Sequence, residues 1–308
     1  MILLYVYVIF TVINFIQTDP HGYLVGATFN PGSSSNTLFK IDPLSGDFTV
    51  LVPLTDYKAY DVTYDFIHKI FYVFGSPATL DKNEAVMSVA IVNPFNGTTK
   101  FRTLTIETGA EIFGLRVDCS TGKLYSVQMS DALENPISIV QIDPNNFIAQ
   151  RWVNLTKADG IQPDSMAIFF NSTTHQYFVT VPYGSDYLVG VDIIKRKVIS
   201  KITNSNLPAY LCYDNKTNAF YGMESSQTGR SCRLVRLNPY NGTTDILSKD
   251  FKDYLPSTGT CHDGYYFTMI VEGLDKQNIV TFDLTNNSKI IANKPAEAYL
   301  DSFAFVSL

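Results

Sequence analysis

LFKIDPLSGDFTVL, residues Leu38 to Leu51, is the stretch that decides how the rest of the chain is read. Its first run alternates Leu38, Lys40 and Asp42 on one side with Phe39 and Ile41 on the other, the period of two expected of a strand with two different faces. Pro43 to Gly46 break the run, because proline cannot donate to a ladder and glycine relieves a tight turn, and a second run opens at Phe48. The unit is a hairpin with an Asp-Pro turn. It returns as SVAIVNPFNGTTKFRTL from Ser88, SIVQIDPNNFIAQRWVNL from Ser138, LVGVDIIKRKVISKI from Leu188, LVRLNPYNGTTDIL from Leu234 and IVTFDLTNNSKIIA from Ile279. Successive copies stand roughly 45 to 50 residues apart, and self-similarity at such a period marks a repeat architecture in which each copy is one supersecondary unit.

Outward from each hairpin the pattern extends by two more strands. An inner run ends at an Asp or Asn that opens a tight turn: Tyr60 to Tyr64 before Asp65, Phe113 to Val117 before Asp118, Met166 to Phe170 before Asn171, Tyr210 to Tyr213 before Asp214, and Thr258 to His262 before Asp263. A further strand follows, at Phe71, Leu124, Tyr177 and Phe220, and then a loop of variable length leads into the hairpin. The first copy lacks an inner run, having only Tyr23 to Phe29 ahead of its hairpin. The tail supplies one, since Asp301 to Leu308 (DSFAFVSL) matches Asp164 to Asn171 (DSMAIFFN) and has no partners after it.

With these repeats the chain resembles a six-bladed β-propeller: all-β, built of four-stranded blades, and closed by the C-terminal strand completing blade one. Closure of that kind leaves no exposed sheet edge. Residues 18–308 then form a single propeller domain. The Gly-His and Trp-Asp marks of WD40 blades are absent, with Trp152 the one tryptophan, and so is the Gly-Gly pair of Kelch blades. A plain β-sandwich alternates in the same way but has no reason to repeat.

Composition agrees with a packed β domain. Of 308 residues, 45% are hydrophobic, 13% aromatic and 17% charged, which leaves ample apolar surface for a core and argues against disorder. A net charge of −6 without any cluster of lysine and arginine excludes nucleic acid as a partner. The first 16 residues, MILLYVYVIFTVINFI, form an apolar run too short for a spanning helix and placed where the core of a secretion signal stands, so residues 1–17 read as a signal peptide and the mature chain as lacking a transmembrane span. Export to the exterior or the secretory lumen is consistent with Asn-x-Ser/Thr sequons at Asn96, Asn154, Asn171, Asn215, Asn241 and Asn286, nearly all in or beside expected turns. Four cysteines lack the spacing of a zinc site. Cys212 and Cys261 occupy equivalent places two residues before an Asp, and Cys232 precedes a hairpin; one bridge among these three suits an oxidising compartment, and spacing does not select it.

Catalytic motifs are missing: there is no nucleophile elbow, HExxH, phosphate loop, GxGxxG or EF-hand loop. His262 stands on an inner strand beside Cys261, where it is expected to pack or to line the channel. Seven residues before each terminal Asp or Asn come Lys58, Glu111, Asp164, Leu207 and Pro256, joined in the closing strand by Asp301. Equivalent positions on inner strands share one height, so Glu111, Asp164, Asp301 and Lys58 are the candidates for a ligand or metal site at the channel mouth, where the propeller resemblance implies that such sites occur. Their hard oxygens suit Ca²⁺, and a carboxylate pair suits acid and base work, so a hydrolase or lyase is the alternative function. Loops between second and third strands vary most, and variation of that kind marks a recognition face, with Tyr183 and Tyr187 as aromatics for stacking. The leading expectation is therefore a secreted or lumenal glycoprotein that binds a protein or carbohydrate through its loop-rich face.

Overall fold

A computed structural model describes residues 20–28, 36–77, 86–130, 137–155, 168–171, 173–181, 187–203, 207–226, 230–273 and 276–308. In chain order the strands are β1 (Gly22–Thr28), β2 (Asn36–Ile41) and β3 (Phe48–Leu54) in blade one. Blade two holds β4 (Tyr57–Asp65), β5 (Ile70–Pro77), β6 (Ser88–Val92) and β7 (Thr99–Thr103), and blade three β8 (Ala110–Asp118), β9 (Lys123–Ser130), β10 (Ile137–Ile142) and β11 (Ala149–Leu155). Blade four follows with β12 (Ile168–Asn171), β13 (Gln176–Val181), β14 (Tyr187–Asp192) and β15 (Lys197–Thr203). Blade five comprises β16 (Ala209–Asp214), β17 (Ala219–Ser225), β18 (Ser231–Leu237), β19 (Thr244–Ile246) and the short β20 (Phe251–Lys252). Blade six has β21 (Leu255–His262), β22 (Tyr265–Glu272), β23 (Lys276–Asp283) and β24 (Lys289–Pro295), and β25 (Leu300–Ser307) ends the chain.

These strands pair antiparallel into six sheets, and β25 joins the first sheet in the order β25-β1-β2-β3. The closing ladder runs from Gly22 opposite Ser307 to Thr28 opposite Leu300. Each inner strand touches the next around a complete circle, β25 to β4, β8, β12, β16, β21 and back to β25. The protein is thus a six-bladed β-propeller closed by its last strand.

Second strands are buried along most of their length because both of their faces are covered. On β5, Phe71 and Val73 enter the core shared with blade one, while Tyr72 and Phe74 enter the core shared with blade three. On β22, Tyr265, Phe267 and Met269 face blade one, and Tyr266 and Ile270 face blade five. Alternation along a strand therefore serves two neighbouring cores at once. Outer strands have one open side, and four of the five residues of β7 are exposed.

The outer turns bind each blade to its neighbour. Asp42 Oδ1 accepts the amides of Leu44 (2.8 Å) and Ser45 (3.0 Å), and Asn93 Oδ1 those of Phe95 (2.9 Å) and Asn96 (3.3 Å), the side-chain capping that makes Asp or Asn the natural start of such a turn. Gly97 completes its turn at φ 74°, and a Cβ there would stand 2.6 Å from the Leu51 carbonyl oxygen of blade one. The equivalent left-handed position in blade three is Phe147, at φ 55°, whose ring is almost fully buried between blades two and three. From the preceding blade, the Tyr23 hydroxyl donates to Pro94 O (2.8 Å), Trp152 Nε1 to Ile193 O (2.9 Å) and the Thr281 hydroxyl to Pro43 O (2.6 Å).

Two blades depart from the repeat. In blade six the inner turn shrinks to Asp263-Gly264, with φ of 47° and 85°, the left-handed pair that a two-residue hairpin requires. In blade five the outer edge is split between β19 and β20, because the Ser248 hydroxyl accepts the Leu234 amide (2.9 Å) where a strand carbonyl would stand.

Candidate functional site at the channel axis

One end of the channel is where the inner strands begin. Lys58 on β4 and Glu111 on β8 are exposed there, opposite Ser76 and Met129 of their second strands. Asp164 lies outside the described residues, and Asp301 is described only as a backbone position on β25 between Leu300 and Ser302. Tyr183 and the Tyr187 side chain also fall outside the description. Among the described residues no group of three or more His, Cys, Asp or Glu converges as a metal would need. Halfway down the channel, Arg116 Nη1 meets Asp61 Oδ2 at 2.6 Å, and Asp61 Oδ2 also accepts the Leu115 amide (3.1 Å), so this charge pair ties β4 to β8. A close approach between blades five and six explains Gly259, where a Cβ would stand 2.5 Å from the Tyr266 hydroxyl, itself bonded to Tyr210 O.

At the other end, where the inner strands finish, a cavity of about 500 Å³ opens on the axis. Five blades contribute to it: Phe66 from blade two, Val117 and Cys119 from blade three, Phe170 from blade four, Tyr213, Asn215 and Lys216 from blade five, and Cys261, His262 and Asp263 from blade six. Local chemistry puts these residues there. In blades two to five the terminal Asp or Asn turns the chain by capping amides two or three residues on, as Asp65 does for Ile67 (2.9 Å) and His68 (3.0 Å), and Asn171 for Thr173 (3.0 Å) and Thr174 (3.1 Å). Residues just before and just after that cap then rim the axis.

The rim is pinned by neighbours. His262 lies between two phenyl rings, 4.6 Å from Phe66 at 5° and 4.9 Å from Phe305 at 20°. Phe170 stacks on Tyr125 at 5.9 Å, and Tyr213 packs 5.0 Å from Phe220 with its hydroxyl on Asn218. Cys212 and Cys261 are disulfide-bonded, Cα atoms 5.8 Å apart, so blades five and six are joined covalently beside the cavity. Cys232 is a buried free thiol, and Cys119 is the other free cysteine. Turn-to-turn contacts link blades three to six: His175 Nδ1 on Asp118 Oδ2 (3.3 Å), Thr173 Oγ1 on Asn215 Oδ1 (3.3 Å), Lys216 Nζ on Asp263 Oδ1 (3.5 Å), and the Gly264 amide on Asp214 Oδ1 (2.8 Å).

Electrostatics make this pocket neutral inside and charged at one edge. Burial pushes the Cys119 thiol up to about 12, so it is an uncharged wall rather than a nucleophile. Burial likewise lowers the His262 pKa below its ordinary value, outweighing the upward pull of Asp263 and Asp214, and keeps the imidazole neutral. His262 thus lines the channel, and it does so together with aromatic residues that the sequence reading passed over. Their signal was available in part: the position before the terminal Asp or Asn is aromatic at Phe170 and Tyr213, whereas in blade two the cavity takes Phe66, just after Asp65, and Tyr64 turns into the core.

Sequon asparagines lie mostly at this same end. Asn96, Asn241 and Asn286 are exposed in outer turns, Asn215 is in the cavity wall, and Asn171 is buried with its Oδ1 committed to the turn. Asn154 is exposed on the outermost strand β11.

No protein-family profile matches the chain, and no curated protein sequence does. Solved structures do. A nidogen/laminin complex aligns over 92% of this chain and 97% of its own at a TM-score of 0.62 and 10% identity. TolB from Acinetobacter baumannii aligns over 96% of this chain and 70% of its own at 0.66 and 12%. A putative 6-phosphogluconolactonase from Bacteroides uniformis aligns over 94% of this chain and all of its own at 0.57 and 10%. Identities this low carry the fold and nothing finer.

Proposed function

We propose that this chain is an exported propeller that binds a protein partner through the face where its inner strands begin. The observation that carries the reading is the division between the two faces. At one end the inner turns that open at Asp65, Asp118, Asn171 and Asp214 are capped by those side chains, blade six turns tightly at Asp263-Gly264, and Asn96, Asn241 and Asn286 present their sequons to solvent. At the other end the strands lead into the connections of most varied length, including residues 78–85, 131–136 and 156–167, and the one sequon asparagine at that end, Asn154, stands at its outer edge near the close of β11. Glycans at one end and the rim would leave the opposite face open to a macromolecule. The apolar N-terminal run and the disulfide support export, since such bridges persist in oxidising compartments. The likeness in fold to a chain of a nidogen/laminin complex supports a protein partner. Among the described residues no helix is long and apolar enough to cross a membrane.

Glycopeptide mapping of protein from its native cells is expected to find glycans at Asn96, Asn154, Asn241 and Asn286, none at Asn171, and an N-terminus beyond residue 17. The binding face is tested with a glycan wedge. Asp56→Asn with Lys58→Thr places a new sequon beside the start of β4 and is expected to abolish capture of partners that the wild type retains from conditioned medium. An unglycosylated protein with its first 17 residues intact, or a wedge that changes nothing, would refute the proposal.

A further inference from the structure

The cavity at the opposite end is a site in its own right, and we infer that it binds a neutral sugar, a mono- or disaccharide whose ring stacks on its aromatic walls. The inference does not depend on export or on the protein-binding face. Its volume, about 500 Å³, falls within the roughly 300–1,000 Å³ of small-ligand pockets. The lining divides by blade. Blades two to four contribute Phe66, Val117, Cys119 and Phe170, all apolar or uncharged, while the polar Asn215, Lys216 and Asp263 come from blades five and six, beside Tyr213, Cys261 and His262.

That division selects among ligand classes. A wholly apolar ligand would strip water from the amide, ammonium and carboxylate without replacing their hydrogen bonds, which is costly. A strongly anionic ligand would find Lys216 already shared with Asp263, whose carboxylate would repel it. A sugar satisfies both sides: its C–H face packs on an aromatic ring, and its hydroxyls donate to Asp263 and Asn215 Oδ1 and accept from Lys216 and the Asn215 amide. The walls are also held in place before any ligand arrives, by the Phe66–His262–Phe305 stack, the Phe170–Tyr125 stack and the Cys212–Cys261 bridge, so little ordering entropy is spent on binding. Asn215 has a contact role here, and its sequon is expected to remain bare.

The test is saturation-transfer NMR on the full mature chain made in the bacterial periplasm, where the bridge forms and no N-glycan is added. Probes are the methyl glycosides of glucose, galactose, mannose, N-acetylglucosamine and fucose, with cellobiose and chitobiose, and phenylacetate as an aromatic anion. Transfer to at least one sugar is expected, weakened roughly tenfold by Tyr213→Ala and by Phe170→Ala. Asn215→Ala, which leaves every aromatic wall intact, is expected to weaken it comparably at an unchanged melting temperature, and Glu111→Gln at the far mouth to leave it unaltered. No transfer to any sugar, transfer to phenylacetate alone, or wild-type affinity in Asn215→Ala and Tyr213→Ala together would overturn the inference. So would a glycan on Asn215 of the native protein.

Discussion

Deleting residues 300–308 removes the strand that closes the ring, and the structure sets the scale of the loss. Leu300 and Val306 are fully buried, and Phe303 and Phe305 are each 4% exposed. At roughly 1.5–3 kcal/mol for each large apolar side chain, these four contribute about 6–12 kcal/mol, close to the whole stability of an ordinary domain at about 5–15 kcal/mol. The deletion also strips β1 of its partners from Gly22 to Thr28 and exposes the flanks of β4 and β21. The truncated chain is therefore expected to lose its cooperative urea transition and its near-ultraviolet dichroism, and to recover both when a synthetic peptide of residues 299–308 is added. Graded variants separate closure from a general intolerance of the tail. Phe305→Ala should cost about 3–5 kcal/mol, lowering Tm by roughly 6–15 °C in a chain of this size. Removal of Leu308 alone, which is 79% exposed, should cost less than about 1 kcal/mol. A chain lacking residues 300–308 that still melts cooperatively within ~3 °C of the intact protein would refute closure by β25.

Replacing both Cys212 and Cys261 by serine opens a crosslink of sequence separation 49 and should lower stability by about 2–4 kcal/mol in urea titrations, with the same loss on reduction of the wild type and none in the already substituted protein. His262 gives the fold an acid limb. The unfolded chain takes up a proton as pH falls through about 6.5 while the buried imidazole of the folded state does not, so its contribution is full above that pH and is lost below it. Unfolding measured at pH 7.5 and pH 5.5 should show a smaller difference for His262→Phe than for wild type, and an equal difference would contradict the burial of this ring. Asp214, fully buried, accepts the amides of Thr217 (2.9 Å) and Gly264 (2.8 Å) and the Thr217 hydroxyl (2.7 Å). Asp214→Ala should cost about 3 kcal/mol, whereas Asp263→Ala at the exposed neighbouring turn should cost under about 1 kcal/mol by the same assay.

By itself the sequence determined the period, the order of strands in each blade and the means of closure, because these depend on local chemistry. Alternation along Leu38 to Ile41 places side chains on two faces, Asp42 and Asn93 cap their own turns, and the match of Asp301–Leu308 to Asp164–Asn171 identifies the missing strand. Tertiary structure alone decided which side chains meet on the axis. Inner strands β4, β8, β16 and β21 each carry a register shift, at Ala59/Asp61, Phe113/Arg116, Ala209/Cys212 and Pro256/Thr258, and the inner turn shortens in blade six. Counting residues back from a terminal Asp does not reveal a shift that adds one residue on one strand only. Cys212 finds Cys261 rather than Cys232, Asn171 turns inward to cap its loop, and Phe66, Phe170, Tyr213 and His262 converge from blades separated along the chain. Each of those outcomes is a distance between strands far apart in sequence, set by how the blades pack around a common axis and not by the residues on either side.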